Sequence, residues 1–299
     1  MNYLVNMFRG FCMALADSVP GVSGGTIAFI LGFYDKFINS LNNLFYGSLE
    51  EKKEALKFLL KLGIGWAIGI ILATLILTSL FQKEIYKISS LFLGFIIFSI
   101  PLIMREEKKT IHKNYKHLIF TIIGILVVAL ITYFNPISGS EKVVNIADAN
   151  IGLLLYIMLA GMIAISAMVL PGISGSTLLL IFGLYIPIMN AIKETLHFNL
   201  SYLVPLMFFG IGIILGIFSV IRLIKKCLEN YRSQTVYLIL GLMLGSLYAI
   251  VMGPTTLEIP KDALSFSTFS ILFFIIGGLV ILILEKVKHV LEEKNIDEK

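Results

Sequence analysis

Six apolar runs stand along this chain in two sets of three, over residues 62–81, 88–104 and 117–134 and then 202–222, 235–252 and 266–284, with short polar connectors within each set. Each approaches or reaches the roughly 20 residues that a helix needs to cross a bilayer core. Hydrocarbon offers no partner to backbone N–H and C=O groups, so a lipid-crossing segment must satisfy them within itself or in a closed barrel. These runs are continuously apolar, not alternating, which selects helices. Composition agrees. Of 299 residues, 58% are hydrophobic and 14% charged, and mean hydropathy is +0.92, whereas about a quarter of the residues in a soluble domain are charged. The expected fold class is an all-α, polytopic membrane protein without a separate soluble domain.

Two further segments, 7–40 and 151–192, are apolar stretches broken near the middle by Pro20-Gly21 and Pro171-Gly172. Proline has no N–H to donate and glycine accepts unusual backbone angles, so a helix stops there and restarts. Each segment is expected to form a broken hairpin that leaves the membrane on the side it entered. Arg9 and Asp17 inside the first segment argue against a cleaved signal peptide.

The two hairpins open two similar halves. Shifting the chain by 151 positions superposes Met7, Gly10, Ala16, Pro20, Gly21, Ser23, Gly24, Thr26, Ile30, Gly32, Tyr34 and Asn39 on identical residues. After a four-residue slip, Gly63, Gly65, Gly69 and Gly94 fall on Gly210, Gly212, Gly216 and Gly241. The first repeat covers 1–134, with hairpin 7–40 and crossings 62–81, 88–104 and 117–134. The second covers 151–284, with hairpin 151–192 and crossings 202–222, 235–252 and 266–284, and a tail follows over 285–299. Three crossings per half is an odd number, so the halves are expected to be inserted upside down relative to each other, an inverted repeat typical of transporters.

Lysine and arginine alternate along the connectors. Lys36–Lys61 carries five, Arg105–Lys116 five, Arg222–Arg232 four and the tail after Glu285 four; the connectors between them carry Lys83 and Lys87, then Lys142, Lys193 and Lys261. The positive-inside rule then places both termini in the cytoplasm. It also absorbs the net charge of +5 into lipid headgroup contacts, so nucleic acid is not an expected partner. Lys53, Lys57 and Lys61 are expected on an amphipathic stretch lying along that surface.

Around the breaks the chain reads Ser23-Gly24-Gly25-Thr26 and Ser174-Gly175-Ser176-Thr177. A restarting helix exposes free N–H groups, hydroxyls add donors, and glycines let an anion approach the backbone. These eight residues are the candidate anion-binding groups, with Arg9 as a further cation. The plainer alternative is that small residues only permit close helix packing; two copies at equivalent breaks favour the ligand reading. Gly65 with Gly69 and Gly241 with Gly245 read as packing contacts. Asp17, a carboxylate at membrane depth, is the candidate for coupling a proton or sodium ion, against a simple helix-capping role. No Gly-Lys-Ser/Thr follows the glycines, so nucleotide hydrolysis is not expected. Two cysteines and four scattered histidines supply no ligand spacing, so no metal or cofactor is expected. A lipid-phosphate enzyme would need a base, nucleophile or metal cluster, and the apolar segments offer only Asp17 and hydroxyls.

Within Gly10–Tyr34 the string ALADSVPGVSGGTIAFILGFY, and its second copy VLPGISGSTLLLIFGLY, resemble the signature of the bacterial polyprenyl-phosphate transporter family. The resemblance extends to about Leu284. It implies a non-enzymatic transporter in the bacterial cytoplasmic membrane that moves undecaprenyl phosphate from the outer to the inner leaflet, recycling the carrier for cell-wall polymers. The residues alone leave a small soluble anion open as the cargo.

Overall fold

The computed structural model describes residues 2–17, 23–72, 78–112, 114–133, 146–147, 149–196, 198–256 and 261–297. Among them every regular element is helical. The order is α1 (Asn2–Asp17), α2 (Gly24–Ile30), α3 (Tyr34–Tyr46), α4 (Leu49–Leu72), α5 (Thr78–Glu106), α6 (Lys108–Ile111), α7 (Leu118–Tyr133), α8 (Ile151–Val169), α9 (Gly175–Ile181), α10 (Tyr185–Leu196), α11 (Leu203–Asn230), α12 (Arg232–Met252) and α13 (Ile271–Asp297), with short 3-10 turns between some of them.

Six helical stretches are long and apolar enough to cross a membrane: Leu49–Leu72, Glu84–Glu106, Tyr115–Tyr133, Ile151–Val169, Leu200–Asn230 and Arg232–Thr255; Ile271–Ile283 is a shorter apolar stretch. This makes the chain an integral membrane protein. Ile151–Val169, the expected first arm of the second hairpin, is a helix of spanning length that ends just before Pro171. The boundaries of two other segments differ from the sequence expectation. The helix expected over 62–81 runs instead from Leu49 to Leu72, residues 73–77 lie outside the described ones and 78–81 belong to α5, so Lys53, Lys57 and Lys61 are part of the spanning helix itself rather than of a separate surface stretch. The run expected over 266–284 becomes helical only at Ile271 and continues to Asp297, through most of the expected tail.

Each expected hairpin is a long helix, a break, a seven-residue half-helix, a glycine turn and another helix. Gly32 and Gly183, repeat partners, both take positive φ (66° and 67°) at the turn between half-helix and next helix, a conformation L-residues adopt at a cost. The second break runs through Leu170, Pro171 and Gly172, the glycine at φ 90° with its Cα against the backbone of Leu242. Pro20 and Gly21 of the first break lie outside the described residues.

Glycines set the helix packing, and they do so twice. A side chain at Gly10 or Gly65 would run into the backbone of Leu62 or Met7, which seats α1 against α4. Their counterparts Gly161 and Gly212 meet Phe209 and Met158 and seat α8 against α11 in the same way. Gly69 and Gly216 continue the two contacts onto Phe11 and Met162. Backbone contact this close is how helices associate where lipid removes the hydrophobic drive. The remaining crossings pair across the halves. Gly94 and Gly277 close α5 on α13, while Gly241 and Gly124 close α12 on α7. The main apolar core, including Ile38, Ile96, Ile221, Ile239, Met243 and Ile250, lies between the two halves.

Candidate functional site

Half-helix α2 carries the first motif. Ser23 is its N-cap, in extended conformation, and its Oγ accepts the Thr26 N–H at 3.3 Å. This is ordinary capping chemistry. The preceding helix adds a second acceptor: Asp17, the last residue of α1, takes the Gly24 N–H on Oδ1 at 2.6 Å. Its other oxygen accepts the indole N–H of Trp66 on α4 at 2.9 Å. A carboxylate at membrane depth is costly unless it is hydrogen-bonded, and these two donors are its partners at the start of α2.

The other face of α2 meets the second motif directly. Ser23 Oγ donates to the carbonyl of Leu170 at 3.2 Å, and the N–H of Gly172 donates to Thr26 Oγ1 at 2.8 Å. Tyr34, past the glycine turn, donates to the Val169 carbonyl at 3.1 Å. Pro171 cannot continue the α8 ladder, and the carbonyls of Val169 and Leu170 at its end take their protons from the other half instead. Gly25 makes the approach possible, because a Cβ there would sit 2.8 Å from the Val169 oxygen. Just before α9, Ser174 is buried and its Oγ lies 2.7 Å from Ser176 Oγ on that helix.

Beside this junction lies a cavity of about 390 Å³, within the range of ligand pockets. Asp17, Gly24, Gly25 and Trp66 line it together with Met168 and Ile217. Asp17 and Met168 are repeat partners, so both halves wall the cavity, one with a carboxylate and one with a thioether.

Arg9 stands elsewhere. Its guanidinium lies 4.9 Å from the centre of the Phe33 ring and reaches Asn6 Oδ1 at 3.3 Å, at the far end of α2 from Ser23. A charged group also ties α3, α6 and α12 together: Arg232 donates to Asp35 at 2.8 Å and grips Glu107 through two nitrogens. Among the described residues no three His, Cys, Asp or Glu side chains gather in a way that could hold a metal ion.

The family model described as undecaprenyl phosphate translocase-like matches residues 13–268. The chain belongs to that family. It is 33% identical over 268 residues, 86% of this chain and 80% of the relative, to a protein of Vibrio cholerae named polyprenyl-phosphate transporter. A Staphylococcus aureus protein of the same name is 33% identical over 287 residues, covering 95% of this chain and 96% of the relative. No solved structure matches the chain significantly.

In this family member, the motif residues singled out in the sequence divide into three sets. Ser23, Gly24, Gly25 and Thr26 meet Gly172 and the end of α8 at one junction, with Asp17 at its edge. Ser174, Gly175 and Ser176 follow within four residues of Gly172 at the start of α9, while the side chain of Thr177 lies outside the described residues. Arg9 is not brought to the junction. Trp66 and Tyr34 belong to it and escaped the sequence reading. Trp66 is the only tryptophan in the chain, and Tyr34 is preserved in the repeat as Tyr185; those were the available signals.

Proposed function

We propose that this protein carries polyprenyl phosphate across the bacterial cytoplasmic membrane, with the phosphate handled at the junction of the two motifs and the cavity beside it. The observation that supports this most is the direct contact between Thr26 and Gly172, next to Gly24 and Gly25 in the wall of a cavity shared by both halves. A bare phosphate in hydrocarbon costs tens of kcal/mol by idealised estimates, and one helix end returns only about 0.3–2 kcal/mol. Several donors must therefore converge on it; the cavity wall holds the Gly24 and Trp66 N–H groups, both bonded to Asp17, with the Ser23 and Thr26 hydroxyls at the adjoining junction. The cavity's largely apolar wall of methionine, phenylalanine, leucine and isoleucine suits a lipid anion better than a hydrated one, which places a small soluble anion second.

The halves form an inverted repeat in this reading. The crossed pairing of α5 with α13 and α7 with α12 supports it, because a two-fold relation exchanges these pairs. Both termini face the cytoplasm. In support, Asp35, Glu107 and Arg232 meet although they come from three connectors rich in basic residues; likewise Tyr86 meets Asp262, and Lys87 faces Phe273, between the poor ones.

Transport runs from the outer to the inner leaflet and recycles the carrier lipid. Moving an anion inward opposes an inside-negative potential by about 2.3 kcal/mol per charge per 100 mV. A proton or sodium ion taken up by Asp17 offsets that cost and at the same time releases the Gly24 and Trp66 N–H groups for the phosphate. In cells depleted of the protein, a probe that binds only outer-leaflet undecaprenyl phosphate should report accumulation, reversed by wild type and not by Ser23→Leu. An unchanged level, with no second transporter present, moves the assignment to a soluble anion.

A further inference from the structure

The phosphate is shared by polyprenyl phosphates and common phospholipids, so a site that reads only phosphate cannot tell them apart; discrimination must lie where the tail goes. Half-helix α2 has two unlike ends. Its start, Gly24-Gly25-Thr26, faces the polar junction, and Ile27 and Ile30 face a second cavity of about 220 Å³. That cavity lies between α1, α2, α5 and α13, with Phe8, Phe11, Cys12, Phe92 and Phe95 in its wall. The same two helices, α1 and α2, thus wall both cavities, with Asp17 and Gly24 in the first and Cys12 and Ile30 in the second. Phe8 is 49% exposed, which puts the second cavity beside the lipid-facing surface of α1.

An apolar cavity of roughly 150 Å³ stays dry and takes up a six-carbon ring, so this one has room for a five-carbon isoprene unit. We propose that the second cavity is the tail-reading site of the transporter: it receives the phosphate-proximal isoprene units of the cargo, whose methyl branches pack against the four phenylalanine rings. The inference rests on the lipid-phosphate reading above and adds the element that selects an isoprenoid over a straight acyl chain. An amphiphile lying along α2 has its phosphate at the glycine end and its first branches at the isoleucine end, with the remaining chain free to leave past Phe8 into lipid.

The test uses the full chain in lipid nanodiscs and a polyprenyl phosphate bearing a diazirine on its third isoprene unit. Adducts are expected on residues 8–16 of α1 or at Phe92 and Phe95, and unlabelled polyprenyl phosphate should displace the probe about tenfold more effectively than dioleoyl phosphatidate, because the branched units are buried in one case only. Adducts confined to outward faces such as Leu118–Leu130, or equal displacement by the two lipids, overturn the proposal. Cys12→Phe, which fills the cavity, should lower both labelling and transport about tenfold; undiminished transport by Cys12→Phe also overturns it. Displaceable adducts around Asp17 and Trp66 but none on α1 or α5 would remove the tail site and leave the carrier reading standing. A probe that labels nothing displaceably removes both.

Discussion

The hydroxyl of Thr26 accepts the backbone N–H of Gly172 at 2.8 Å, joining two residues 146 positions apart in the chain. Thr26 lies two residues past the first Pro-Gly-x-Ser-Gly copy and Gly172 within the second, and both are buried. The two copies of the motif are therefore one structural unit, and each half completes the hydrogen bonding of the other.

Replacing Thr26 by valine keeps the shape and deletes the acceptor, leaving the buried Gly172 N–H unsatisfied. The expected loss is about 1–3 kcal/mol of stability, read as a lower thermal midpoint of the purified protein in detergent. Thr26→Ser retains the hydroxyl and should retain most of the midpoint. Equal midpoints for valine and wild type would show that the contact is not formed.

Gly212 and Gly210 provide a matched pair on α11. A Cβ at Gly212 runs into the Met158 backbone, whereas one at Gly210 meets nothing within 4 Å. Gly212→Ala should separate α8 from α11 at a cost of about 1–3 kcal/mol. Gly210→Ala should change stability by no more than about 0.5 kcal/mol in its unfavourable direction, and alanine's better helix propensity favours a small gain. Thermal denaturation of the two variants side by side checks both.

Asp17→Asn replaces a carboxylate that accepts from Gly24 and Trp66 with a neutral amide. The variant is expected to transport slowly and with no response to the proton or sodium gradient, while Trp66→Phe, which removes one donor and keeps the ring volume nearly intact, slows transport and leaves the response in place. Outer-leaflet polyprenyl phosphate measured with each gradient collapsed in turn separates these outcomes. An Asp17→Asn protein as gradient-dependent as wild type would remove Asp17 from the coupling role.

Arg232 holds Glu107, whose side chain is only 13% exposed. Arg232→Gln strands that carboxylate and should cost about 1–3 kcal/mol, more than a surface pair would. Adding Glu107→Gln should recover part of the loss, so a double-mutant cycle by thermal denaturation yields a coupling of about 1 kcal/mol or more. Asp35→Gln, at a more exposed position, should couple less.

Much of this architecture is legible in the sequence because backbone requirements leave marks. Positive φ at Gly32 and Gly183, and glycines under the α1–α4 and α8–α11 contacts, recur at matching positions, so the repeat found by alignment reappears as repeated packing. Helix ends were harder to read. Lys53, Lys57 and Lys61 read as a surface-lying amphipathic stretch, yet long charged side chains at one end of a spanning helix reach the headgroups without ending it. The site was legible only as two motifs. That Asp17 would meet Trp66, 49 positions away, depends on Gly10 and Gly65 bringing α1 and α4 into backbone contact. A hydropathy pattern encodes no such distance. Pairing of α5 with α13 was equally hidden, since apolar faces carry no partner label.

The crossed pairing bears on how the protein is made. A chain is synthesised from its N-terminus and its units generally fold as they emerge, but α5 and α7 have their glycine-lined contact faces matched to α13 and α12, helices that do not yet exist when the first half is inserted. The first half therefore waits in the bilayer with two unsealed seams. A product cut short after the first half would leave those seams open to lipid, and both are closed only by helices of the second half, α12 on α7 and α13 on α5.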